Sequence, residues 1–233
     1  MVRGVKAGLK SARKKLSFKE FHKLYSHMGS DPNCSVCKMV KGNMRRIYRK
    51  IDPHREQRPG HTWSMDIVTF SDRSEEGCKY CIVLRDQSTG AFTCLLVARR
   101  TTQALADELE EWILQMRAKP IFANMHYKVV SVLKTDNERA WSVDTSAWQQ
   151  IVNDIGVEMV YVEPSRHAQE NGYAESAVKI LEACVKSILM AGNLPPSYWQ
   201  SAVADAEFLL NRFPVTSDSV SVPIRVSVTL RGR

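Results

Sequence analysis

Residues 62–70, Thr62-Trp63-Ser64-Met65-Asp66-Ile67-Val68-Thr69-Phe70, form a β-rich run with a carboxylate at its centre. Strand alternation sets Ser64, Asp66, Val68 and Phe70 on one face. A carboxylate there is costly to desolvate unless it is paired, hydrogen-bonded or bound to a cation. The polar turn SDRSEEG ends the run, and Cys78–Arg85 and Ala91–Ala98 follow as a hairpin through Asp86-Gln87-Ser88-Thr89-Gly90. Thr101 and Thr102 are cap candidates for a helix whose stripe is Leu105, Leu109, Trp112, Ile113 and Met116, closing before Pro120. Val129–Thr135 is a short β-branched run, residues 145–155 have helical spacing, and Val157–Val162 is a further strand. Helices over about 170–191 and 196–212 complete the pattern. Antiparallel strands followed by alternating helix and strand predict an α/β fold, a mixed five-stranded sheet flanked by helices.

The 233 residues carry a formal charge of +8, unevenly placed. Residues 1–60 hold 16 Lys and Arg against 4 Asp and Glu; residues 61–233 hold 17 against 21. A basic leading quarter on a mildly acidic body suits a polyanionic partner, nucleic acid first, with a solvated tail as the alternative. No apolar stretch approaches the roughly 18–20 residues of a membrane span. The opening MVRGVKAGLKSARKKLSF is basic and lacks the apolar centre of a secretory signal. Six cysteines are too few for a disulfide scaffold and predict a reducing compartment.

Two more carboxylates accompany Asp66. Asp136 ends the Val129–Thr135 run, at the strand edge where ligands collect in open α/β sheets. Glu175 stands in the first turns of a helix striped by Ala174, Ala177, Val178, Leu181, Val185 and Ile188. Each alone has an ordinary reading: a satisfied buried Asp, a turn residue, and an i,i+4 partner of Lys179. Together, two strands and a later helix can bring three hard oxygen ligands to one point, which suits Mg2+ or Mn2+. Asp86 and Asp144 read as turn and cap residues.

His22-x4-His27-x6-Cys34-x2-Cys37 supplies four ligands within 16 residues. Cys-x-x-Cys lets both thiolates reach one ion, and two His close a tetrahedral Zn2+ set; an incidental grouping is the alternative. His22 is the weakest member on spacing, because x4 does not align on a straight helix. Cys78 and Cys81 point to opposite faces of a strand and, with Cys94 and Cys184, read as core. Lys41, Arg45, Arg46, Arg49 and Lys50 follow the Cys pair closely, a stretch suited to phosphate contacts.

Asp66 in WSMDIV, Asp136 in KTDN and Glu175 in QENGYAES resemble the Asp-Asp-Glu triad of retroviral-type integrases. LPPSYWQSAVADAEFLLNRFP resembles the Leu-Pro-x-x-Tyr/Phe-Trp…Asn-Arg-x-Pro helix of copia-type retrotransposon integrases, and the His-His-Cys-Cys order resembles their N-terminal zinc module. The resemblance covers roughly residues 22–214. It implies an RNase H-like core at 61–213, a zinc-binding module and basic linker at 21–60, a basic arm at 1–20 and an unplaced tail at 214–233. It further implies two-metal phosphoryl transfer that trims the element's DNA ends and joins them to target DNA. Gln169, Asn171 and Gly172 would lie in a loop flexing over the site, and Lys179 against the DNA end. A homo-oligomer acting in the nucleus is the implied setting. A non-catalytic nucleic-acid-binding remnant and an RNase H-like nuclease are the alternatives.

Overall fold

The computed structural model describes residues 22–23, 27, 31, 33–41, 56–136, 148, 151–162 and 168–212, with backbone alone at Lys41 and at 168–171. The basic arm, Arg45, Arg46, Arg49, Lys50, Asp144 and the tail from 213 lie outside the described residues.

A short helix, α1 (Ser35–Lys41), precedes the sheet. The sheet follows as β1 (Thr62–Thr69), β2 (Tyr80–Asp86) and β3 (Phe92–Val97), then α2 (Thr102–Arg117), β4 (Val132–Asp136) and β5 (Glu158–Val162). The long helix α3 (Ala168–Gly192) comes next, and a 3-10 turn at Pro196–Tyr198 leads into α4 (Trp199–Arg212). The strands lie in the order β3-β2-β1-β4-β5, antiparallel across β3, β2 and β1 and parallel across β1, β4 and β5. The mixed five-stranded sheet expected from the sequence is the sheet observed.

Alternation divides the core into two layers. Trp63, Met65, Ile82, Leu84 and Leu133 face α2, whose buried stripe is Leu105, Ala106, Leu109, Trp112, Ile113 and Met116. Thr101 caps α2 by accepting the Ala104 N–H, and the indoles of Trp63 and Trp112 meet edge-to-face at 5.1 Å. On the opposite face, Val68, Cys81, Val83 and Phe92 lie under α3 and α4. All six cysteines are free, and Cys81, Cys94 and Cys184 meet in this second layer. The hydrogen bond with the Cys81 thiol, and burial after it, push the Cys94 thiol well above its ordinary range, so it packs as an apolar group.

The sequence and the structure differ at two segments that bear on the site, besides a β2 that begins at Tyr80 and a π-helical turn at Ile151–Ile155 where a helix over 145–155 was expected. Val129–Ser131 is not strand: Val130 takes a left-handed φ of 49°, fixed by its N–H on Gly60 O at 2.8 Å and by Arg117 Nη2 on its carbonyl at 2.8 Å. β4 therefore begins at Val132. The long helix begins at Ala168, ahead of the expected start, so Gln169, Asn171 and Gly172 are helical rather than part of a loop.

Candidate metal and nucleic-acid site

Register places the first two carboxylates. β1 and β4 pair in parallel with Thr62 opposite Val132, Trp63 opposite Leu133 and Ser64 opposite Lys134. Carried two residues past the last pair, the same register would set Asp66 level with Asp136. Met65 and Leu133 face α2, so Asp66 and Asp136 stand on the other face, the one α3 and α4 cover. Both are half-buried, and Asp66 Oδ1 accepts the Ile67 N–H at 2.7 Å. The observed β1–β4 pairs end at Ser64 and Lys134, which points the two carboxylates, 70 residues apart in the chain, toward the same end of adjacent strands.

Glu175 enters from above that face. It lies on α3, about two turns from the helix start, and α3 packs on β1, β2 and β4. Its side chain is 52% exposed and makes a 3.5 Å ion pair with Lys179, itself 70% exposed. Among the described residues, the carboxylates of Asp66, Asp136 and Glu175 are not drawn into a closed ligand group. Two carboxylates side by side repel unless a cation or a proton intervenes, and as hard oxygen donors they fit Mg2+ or Mn2+.

The His/Cys module is closed. His22, His27, Cys34 and Cys37 place their ligand atoms within 4.8 Å of one another. His22 Nε2 and His27 Nδ1 are 3.0 Å apart, Cys34 Sγ is 3.2 Å from His27 Nδ1, and Cys37 Sγ is 3.3 Å from His22 Nε2. A tetrahedral Zn2+ with ordinary bond lengths sets N–N near about 3.3 Å and N–S near about 3.6 Å, so the four fit that ion. The Cys37 backbone N–H, with His22 beside it, holds the Cys34 thiol below its usual range, toward the thiolate a metal needs. His22 is only 1% exposed. Its weak spacing is offset at His27, which has a left-handed φ of 62° and donates its N–H to His22 O at 2.8 Å. α1, which carries Cys37, packs against α3, the helix of Glu175.

Sequence reasoning missed Arg85 and Tyr173. Arg85 lies on the same face as Asp66, with its guanidinium 4.5 Å from the Tyr173 ring centre. The available signal was an arginine at an inward position of an apolar strand, Cys81-Ile82-Val83-Leu84-Arg85.

No family model matches the sequence. Solved structures do match it. The HTLV-2 integrase catalytic core domain in complex with magnesium, in a trimeric form, is 18% identical with a TM-score of 0.49 over 69% of this chain and 91% of that one. The catalytic core domain of BIV integrase is 17% identical with a TM-score of 0.48 over 66% and 84%. A chain of the simian T-cell lymphotropic virus intasome, in complex with PP2A regulatory subunit B56 gamma, is 20% identical with a TM-score of 0.55. That match covers 83% of this chain and 61% of the intasome chain. The fold is shared with that intasome chain: an RNase H-like, mixed five-stranded sheet flanked by helices. No described helix is long and apolar enough to cross a membrane.

Proposed function

We propose that the chain is a polynucleotidyl transferase, the integrase of a copia-type retrotransposon, which trims the element's DNA ends and joins them to target DNA. The carrying observation is the parallel β1–β4 pairing, Ser64 opposite Lys134, which supports Asp66 and Asp136 lying side by side on the sheet face that α3 packs against. The ordered matches of the Leu194-to-Pro214 signature and the His/Cys module add support to the copia assignment.

In this reading Asp66 and Asp136, fixed by paired strands, hold the divalent ions, and Glu175 closes the set. Mg2+ or Mn2+, when bound, supplies Lewis acidity for attack by water or a 3′-hydroxyl and for departure of the leaving oxygen. Lys179 has a separate task. An ion pair this exposed contributes little, so it exchanges readily for a DNA phosphate. Lys41, Arg45, Arg46, Arg49 and Lys50 supply further phosphate contacts, and the backbone at Asn171 and Gly172 approaches the DNA end. Zn2+ on His22, His27, Cys34 and Cys37 holds the module folded. The working form is a homo-oligomer on DNA in the nucleus.

The test incubates purified chain with Mn2+ and labelled element-end DNA, beside Glu175→Gln. Joined products that vanish in the variant support the reading. Cleavage without joining identifies a nuclease, and equal traces from both proteins identify a binding remnant.

A further inference from the structure

Arg85 and Tyr173 connect β2 to the helix that carries Glu175. β1 and β2 pair antiparallel with Ser64 opposite Arg85 and Asp66 opposite Val83, so Arg85 and Asp66 share a face one alternation apart. The Arg85 guanidinium lies against two rings, 4.5 Å from the centre of Tyr173 and 5.1 Å from that of Phe92. Tyr173 precedes Glu175 by two residues on α3, and its hydroxyl donates to Asp86 O at 3.1 Å. Gly90, at φ 78°, brings the hairpin turn up to the same point: a Cβ built there would stand 3.6 Å from Arg85 Nη2 and 3.8 Å from the Tyr173 hydroxyl.

Among the described residues, the fully buried ones of α3 nearest to Glu175 are Ala174 and Ala177, with Val178 packed on the core at partial burial, while Leu181, Val185 and Ile188 begin about two turns further on. Burying an alanine methyl fixes a helix weakly beside burying a leucine, because the apolar area removed from water is small. Beside them, the Tyr173 ring on the Arg85 guanidinium and the Tyr173 hydroxyl bond tie these opening turns to β2.

We infer that Arg85 is a positioning residue: seated against Phe92 and Tyr173, it sets the height of the opening turns of α3, and with them Glu175, over Asp66. This rests on the reading of Asp66, Asp136 and Glu175 as a divalent-metal site. Partners one step removed from metal ligands typically change metal affinity by about 10–100-fold when lost.

The experiment uses the full zinc-loaded chain and the variants Arg85→Met and Tyr173→Phe. Hydrogen exchange is followed at the amides of residues 173–178, and Mn2+ binding by the resonance signal of the free ion. Arg85→Met is expected to speed exchange there and to weaken Mn2+ binding, each by about tenfold. Tyr173→Phe, which keeps the ring, stays within about threefold on both, since only one hydroxyl bond is lost. Should Arg85→Met not fold, Tyr173→Leu removes the ring face and is expected to reproduce its two effects. Unchanged exchange, or faster exchange with unchanged Mn2+ affinity, overturns the inference while the metal site stands. An unsubstituted chain that binds no Mn2+ beyond its zinc module overturns the metal-site reading itself, and this inference with it.

Discussion

Glu207 shows how one residue couples the fold to pH. As a residue it is only partly buried, but its carboxyl sits against β3, where it accepts the Cys94 N–H at 3.2 Å. Burial raises its pKa from 4.5 to about 7, against the opposing pull of that N–H and of Lys119. The folded chain therefore holds a proton that the unfolded chain releases. Its stabilising effect is complete below pH 4.5 and is lost as pH rises through about 7. Allowing for partial solvent access, wild type should lose on the order of 2 kcal/mol across that window. Urea melts from pH 4.5 to 7.5 should show that slope flattened in Glu207→Gln; parallel slopes would refute it. At this scale the sequence was uneven. Asp66 stood out because a carboxylate in an apolar strand needs a reason, and the turn role of Asp86 was visible beside Gly90; it accepts from the Thr89 N–H at 2.9 Å. Glu207, Arg85 and Tyr173 were not visible, because their environments come from elements far away in the chain.

The copia-like signature makes sense at the scale of the element. Trp199, 1% exposed, stacks on Phe70 at 3.9 Å and donates its Nε1–H to Asp72 O at 3.0 Å. Gln200 accepts the Ser74 hydroxyl proton and donates to Glu76 Oε2, each at 2.6 Å. At the other end of α4, Asn211 accepts the Phe92 N–H at 2.7 Å and donates to Phe92 O at 2.8 Å. β3 is an edge strand, so Asn211 occupies backbone groups that another chain could otherwise pair with. Trp199 and Asn211 thus pin α4 to the β1–β2 turn and to the sheet edge. Trp199→Ala should cost roughly 3–5 kcal/mol in a denaturant melt, and a loss below about 1 kcal/mol would contradict this role. The elements were legible because their apolar residues repeat at strand or helix period, as in the Leu105-to-Met116 stripe. Their ends were less so. Val130 breaks a β-branched run by tertiary hydrogen bonds to Gly60 and Arg117, and α3 starts at Ala168, before the expected 170.

For the whole molecule, the docking of α1 on α3 joins the His/Cys module to the core. Cys-x-x-Cys and the two His were readable as ligands, whereas the contact with α3 was not, since nothing local encodes it. Metal binding to such a set is folding energy. Chelation should therefore release residues 22–41 to fast hydrogen exchange and leave β1, β2 and β4 protected. Equal protection of residues 22–41 with and without chelator would rule out Zn2+ as their support.

The central claim is that Asp66, Asp136 and Glu175 share one divalent-cation site on a single sheet face. Calorimetric titration of the zinc-loaded chain with Mn2+ measures it directly, beside Asp66→Asn, Asp136→Asn and Glu175→Gln. The account predicts binding in the unsubstituted chain that is abolished by either Asn variant and weakened at least about tenfold by Glu175→Gln. Identical isotherms for all four proteins would contradict it.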